Sequence, residues 1–254
     1  MNAPLLDRLG ARAEDPAPFL TFLDRRWSRR EIWEEASAAA AGFRAAELEP
    51  GRPIGILLPN LPGAVVALLG IWLAGRTAAL VDGRRAIDAL HGWAEAKRPA
   101  ALVTLDLASV FERARALAEA HPPCRLIVMP IADQLSFWKR MISPWLRGGG
   151  TAKRPEDTEI LAWQALLKQH SPAGAAAGEP PDLPSIAPWP DRANGLLACP
   201  LADPAALSAL VSAWCGEGSL ILSPRLDERS LAKVRKASRP DLEIVALLEQ
   251  DGAL

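Results

Sequence analysis

Apolar residues recur along this chain with two periods that alternate regularly. Phe19-Leu-Thr-Phe-Leu23 is a short apolar run that predicts a strand, turned by Asp24-Arg-Arg26 into Trp27. Ser28 follows at an N-cap position with Glu31 three residues on, the spacing of a capping box. Ile32, Trp33, Ala36, Ala40 and Phe43 then recur at helical spacing and predict a helix over residues 29–46. After a Pro50-Gly51 turn, Pro53-Ile-Gly-Ile-Leu-Leu58 has the look of a buried parallel strand. Pro59-Asn60-Leu61-Pro62 breaks it before an apolar helix over 63–74. The same rhythm continues with a strand over 78–81, a helix over 86–96, a strand over 100–104, a helix over 107–120 and a strand over 125–129. Short apolar runs separated by helices indicate an α/β fold of repeated βαβ units, mainly parallel sheet with helices on both faces.

The pattern then breaks. Residues 1–132 read as a first α/β subdomain, 133–190 as an aromatic and basic segment with flexible linkers, and 191–254 as a second subdomain. In the middle part, Gly148-Gly-Gly150 with the charges after it reads as a surface link, residues 158–168 as a short helix, and the Ala, Gly and Pro-rich 171–190 as loop. Alternation returns with a strand over 194–199, a helix over 204–215, a strand over 219–222, an Asp227-capped helix over 228–237 and a strand over 242–247. This β-α-β-α-β run either completes the first sheet or builds a second.

Composition narrows the function classes. The chain has 254 residues, half of them hydrophobic (50%), which suffices for a substantial core. With 29 basic and 30 acidic residues the net charge is -1, far from the basic excess expected of a nucleic-acid binder, so nucleic acid is not an expected partner. Cys124, Cys199 and Cys215 are widely spaced, without a C-x-x-C pair. A disulfide framework or cysteine zinc site is therefore not expected, and a cytoplasmic location is. No secretory leader is evident, and the longest apolar stretch, 64–74, is too short for a bilayer span of about 20 residues.

The order of these elements resembles the N-terminal region of the AMP-forming acyl-CoA synthetases and their adenylation-domain relatives. That region runs as a strand, an aromatic residue with Ser or Thr before a long helix, a Pro-Gly turn, an apolar strand ending in Pro-Asn-x-Pro, and an Ala/Leu-rich helix ending in Ala-Gly. Here these are Phe19–Leu23, Trp27-Ser28 with helix 29–46, Pro50-Gly51, Ile54–Leu58, Pro59–Pro62 and Ala64–Gly75. Further on, Asp191-Arg-Ala-Asn-Gly-Leu-Leu-Ala-Cys-Pro-Leu201 resembles the strand leading to the family's Pro-Leu-Phe-His segment.

The departures from the family pattern bear on chemistry. The resemblance implies a Ser, Thr and Gly-rich loop ending in Lys-Gly, whose backbone amides cradle triphosphate oxygens. In its place the chain reads Gly178-Glu-Pro-Pro-Asp-Leu-Pro-Ser-Ile-Ala-Pro-Trp-Pro-Asp191. Pro200-Leu201 is followed by Ala202-Asp203 without the family's His, and the family's adenine, ribose, magnesium and catalytic Lys regions find no counterpart before Leu254. Read with these losses, the resemblance implies a degenerate, truncated pseudoenzyme without catalytic residues, cofactor or metal. It would act as a partner or scaffold subunit in lipid or natural-product acyl metabolism. The alternative is a subunit of an acyl-CoA ligase or acyltransferase complex that completes its ATP or acyl site with another chain. Either way a homodimer or heterocomplex is expected, because the family covers these sheets with later elements and the edge strand near residues 243–248 would otherwise be bare.

Residue-level candidates are few. Gly174–Gly178 lacks a Lys, and its neighbour Glu179 would repel phosphate, so it reads as linker, as does Gly148–Gly150. His91, His121 and His170 lie far apart in sequence without metal-ligand spacing and read as structural or exposed. Cys199 reads as a buried thiol, with no base suggested by spacing. Residues 135–147 carry the one surface candidate. Phe137, Trp138, Met141 and Trp145 with Lys139, Arg140 and Arg147 could form an amphipathic face, limited to about two turns by Pro144, that meets an anionic membrane or a partner, or covers the protein's own sheet edge.

Overall fold

A computed structural model describes residues 4–135, 160–169, 188–224 and 226–245. Its strands form two five-stranded sheets. The first in the chain contains β3 (Ile54–Ile56), β4 (Ala78–Leu80), β5 (Ala101–Leu105), β6 (Arg125–Met129) and β7 (Ile160–Ala162), all parallel, in the order β4-β3-β5-β6-β7. The second combines β1 (Pro18–Phe22) and β2 (Arg25–Ser28) with β8 (Asn194–Leu197), β9 (Ser219–Leu222) and β10 (Leu242–Ile244), in the order β10-β8-β9-β1-β2. Only the β1–β2 hairpin is antiparallel. The fold is thus the mixed α/β, mostly parallel arrangement that the alternation implied. Residues 194–244 build a second sheet instead of extending the first, and they do so by capturing the hairpin 18–28 from the far end of the chain.

Helices fill three layers. Between the sheets lie α2 (Arg29–Ala45) and α3 (Pro62–Leu73), flanked by α1 (Leu5–Gly10), the short α6 (Trp163–Leu167) and α7 (Pro204–Cys215). Their buried faces join Ile54, Val103 and Ile127 of one sheet and Phe19, Leu197 and Leu220 of the other into one continuous core. The outer face of the first sheet is covered by α4 (Ile87–Lys97) and α5 (Ala108–Ala120), and that of the second by α8 (Glu228–Ser238).

Local chemistry explains the element ends. Ser28 accepts from the Glu31 amide at 3.2 Å while Glu31 reaches back to the Ser28 amide at 2.7 Å, completing the capping box. Asp227 caps α8 through the Ser230 amide at 2.9 Å. α3 is buried on nearly every side, which suits its central position. Gly70 of α3 lets it approach α2 closely, since a Cβ there would stand 2.8 Å from that of Ala39. The helix read over 158–168 is corrected: Ile160–Ala162 is the edge strand β7, paired to β6, and only Trp163–Leu167 is helical. Residues 137–147, the candidate membrane or partner face, lie outside the described residues.

Candidate functional site

The order β4-β3-β5-β6-β7 is that of a doubly wound sheet whose connections reverse direction between β3 and β5. In such sheets the crevice for a ligand opens at the carboxyl ends of the strands at that switch point. A cavity of about 550 Å³ lies there. Its walls are the residues just past the strand ends, Leu57 and Leu58 after β3, Val81 after β4 and Leu107 after β5, with Ala64 of α3 behind them. The second sheet closes the other side with Phe22, Pro200, Leu201 and Ala202.

Asn60 ties the two sides together. It is 4% exposed; its side-chain amide donates to the Cys199 carbonyl at 2.7 Å and its Oδ1 accepts from the Leu201 amide at 2.9 Å. The Pro59-Asn60-Leu61-Pro62 break therefore does more than start α3: it joins the β3–α3 loop to the β8–α7 loop across the cavity. Polar groups at the wall are Asp82, Arg84, Ser109 and Arg113. Arg84 grips Asp82 through two donors, Nε at 3.0 Å and Nη2 at 2.9 Å. Burial alone would raise the Asp82 carboxyl, but the hydrogen bonds and charge of Arg84 outweigh it and hold it below the usual carboxylate range. Arg113 donates through Nη2 to the Arg85 carbonyl, holding the loop after β4 to α5.

The loop preceding α7 ends in Asp203, whose carboxylate caps the helix N-terminus by accepting from the Ala205 amide at 2.8 Å. Asn60 spends one amide N–H and its carbonyl oxygen on its backbone bonds to Cys199 and Leu201, and Arg84 is paired with Asp82.

Other residues singled out from sequence fall as follows. Cys199 is 1% exposed, and burial, then the charge of Asp203, push its thiol up to about 11, so it holds its proton at neutral pH. His91 and His121, distant in sequence, meet between α4 and the end of α5, with Nδ1 and Nε2 3.1 Å apart. His170 lies outside the described residues. Among the described residues, no group of three or more His, Cys, Asp or Glu is placed to hold a metal, and no helix is long and apolar enough to cross a membrane. Sequence patterning missed the cavity itself, because its walls are ordinary apolar strand-end residues; the usable signal was the strand order, which a single sequence does not disclose.

A two-sheet α/β molecule with an apolar crevice at the switch point of a parallel sheet is the architecture of the N-terminal part of adenylate-forming ligases. The AMP-binding enzyme family matches residues 8–164, and the chain belongs to that family. Among solved structures it is similar to a benzoate CoA ligase from Burkholderia xenovorans LB400, with 14% identity and a TM-score of 0.70 over 95% of this chain and 50% of that one. It also resembles MbtA of Mycobacterium smegmatis, with 20% identity and a TM-score of 0.65 over 93% of this chain and 47% of that one. A third is coronafacic acid ligase from Pectobacterium brasiliense, with 11% identity and a TM-score of 0.71 over 95% and 49%. The chain thus spans about half the length of these structures, and at such identities the likeness is one of fold. No curated protein matches it.

Proposed function

We propose that this member of the AMP-binding family is a non-catalytic, acyl-CoA synthetase-like protein. It binds a partner, and holds an apolar acyl or aryl group, in lipid or natural-product acyl metabolism without forming an adenylate. The observation that carries the reading is the combination at the strand ends. The apolar crevice is preformed and pinned by Asn60, while the adjacent helix N-terminus is capped by the chain's own Asp203. The sequence between Gly178 and Asp191, which offers one Ser and no Lys for a phosphate, supports the same reading. An aryl or short acyl group suits about 550 Å³ of mostly apolar space. β10 supports the partner contact: it pairs only with β8 among the described residues, and Val245 beside it is 59% exposed.

ATP–pyrophosphate exchange with the purified chain, run beside nucleotide and benzoate thermal shifts, tests the reading. The expected result is no exchange, no shift with ATP and a saturable shift with the aryl carboxylate; exchange or an ATP-dependent rise in Tm overturns it. Light scattering tests the partner contact, with a homodimer, or a complex recovered from the native host, as the expected result. A strictly monomeric chain that recovers no partner overturns that part.

A further inference from the structure

On the opposite side of the first sheet, at the amino ends of β3 and β4, a separate polar recess of about 340 Å³ is lined by Arg44, Arg52, Arg76, Thr77 and the turns at Gly51 and Gly75. The three arginines come from different places: Arg44 from the last turn of α2, Arg52 from the turn before β3, and Arg76 from the turn between α3 and β4. Each is partly spent on backbone carbonyls. Arg76 donates to Leu48 O at 3.2 Å, Glu49 O at 2.7 Å and Arg52 O at 3.3 Å. Arg52 donates to Arg98 O at 2.7 Å and Pro99 O at 3.0 Å, and pairs with Glu49 at 2.7 Å. Arg44 makes a single hydrogen bond among the described residues, from Nη1 to Leu73 O at 3.0 Å.

What these bonds leave over is informative. The Nε atoms of both Arg44 and Arg76 are buried without a hydrogen-bond partner among the described residues. A buried, unpaired donor on a cation costs about 1–3 kcal/mol or more, and here both belong to side chains that line the recess. In Arg44 the Nε–Nη2 edge, the edge that takes an oxyanion through two parallel bonds, is the one left over. Against the three guanidinium charges stand the Glu49 carboxylate and the negative ends of α2 and α3, roughly half a charge each, so the recess remains positive by about one charge. Space is present too. Gly51 and Gly75 hold φ values of +76° and +72°, and a Cβ on Gly51 would meet nothing within 4 Å. Burial also holds the Arg76 guanidinium below its ordinary value, a cost that a bound anion would relieve.

We infer that the Arg44–Arg52–Arg76 recess is a binding site for a tetrahedral oxyanion of the phosphate class, either free phosphate or the phosphate group of a small phosphomonoester. It is separate from the apolar cavity and does not depend on the function proposed for it.

Isothermal titration calorimetry of the full chain with inorganic phosphate, at constant ionic strength in chloride, tests this. Saturable one-site binding in the millimolar range or tighter is expected, and Arg44→Gln should weaken it about tenfold, the value of one charge-assisted bidentate contact. Arg115→Gln, on the exposed face of α5, should leave it unchanged. Should Arg44→Gln fail to fold by circular dichroism, Arg52→Gln makes the same test from the turn before β3. A parallel titration with glycerol 3-phosphate distinguishes the sources: tighter binding than inorganic phosphate assigns the site to a phosphomonoester, equal or weaker binding to the free anion. No saturable binding of either, or binding that survives both arginine variants, overturns the assignment.

Discussion

Among the described residues, Arg29 has an unusually committed side chain. It is 1% exposed and donates to the carbonyls of Ala213, Trp214, Gly216 and Gly218 at 2.8 to 3.1 Å, with Asp15 at 3.3 Å and the Phe19 ring centroid 4.5 Å away. It thereby satisfies the orphan carbonyls at the end of α7 from the first turn of α2. The planar fork reaches these acceptors in directions an ammonium cannot, so Arg29→Lys should fail to rescue what Arg29→Met loses, about 3 kcal/mol or more in urea unfolding. A loss under about 1 kcal/mol for Arg29→Met would contradict this role. Glu35, one face further along α2, carries the opposite problem: burial pushes its carboxyl above the ordinary value. The folded state then holds this proton more tightly than the unfolded one. The group's contribution to stability is full below the unfolded value of about 4.3 and is lost as pH rises through the folded value. Glu35→Gln should therefore gain stability over the parent as pH is raised from 4 toward 7, with little difference at the acid end. Urea midpoints at three pH values check it, and a constant difference would refute it.

Between elements, the decisive contacts are those a periodic pattern cannot reveal. The capping box of α2, the Asp227 cap of α8 and the βαβ rhythm were legible because they are written in neighbouring residues. β2 was not, because Arg25-Arg26 belongs to an edge strand where polar side chains are tolerated. β7 was read as helix because three half-buried edge residues run directly into Trp163–Leu167. Of the cavity, the Pro-Asn-x-Pro break was visible in sequence, but not that Asn60 would bond Cys199 and Leu201 on another sheet. The arginine recess was equally hidden, since its members meet only once α2, α3 and β3 have packed. Replacing Asn60 by Leu keeps the branching of its side chain and leaves the Cys199 carbonyl and the Leu201 amide without these partners. The expected cost is about 2–4 kcal/mol, together with faster proteolysis at the β8–α7 loop. Asn60→Asp should be no better, because a carboxylate cannot donate to the Cys199 carbonyl. Parent-like stability in either variant would show that the two loops are held by packing alone. Gly42 makes the complementary case in the middle layer: a Cβ there would run into the backbone and side chain of Leu166 on α6. Gly42→Val should cost about 1–3 kcal/mol by overpacking, read from thermal unfolding.

The chain closes on itself at the scale of the whole molecule. β1 is hydrogen-bonded on one side to β2 and on the other to β9, so the second sheet needs residues 18–28 and 194–244 together. The core between the sheets draws on both ends as well: Phe19 packs edge-on to Trp214 with ring centroids 4.9 Å apart, and Trp214 donates to Leu9 O at 2.9 Å. Loop closure over this span costs entropy that only the shared core can offset, so neither sheet should be an independent folding unit. A fragment of residues 4–169 would keep every described strand of the first sheet. It would nevertheless leave the β1–β2 hairpin unpaired on its β9 side and would expose the α2–α3 faces that now meet the second sheet. An isolated hairpin is marginal in water, and a large uncovered apolar face favours association. The fragment should therefore aggregate or unfold without a cooperative transition, whereas the full chain should unfold in one step with coincident tryptophan fluorescence and far-UV circular dichroism curves. A fragment that melts cooperatively, at the temperature of the full chain, would mean that the first sheet and its helices form a self-sufficient domain and that the second sheet is an accessory to it.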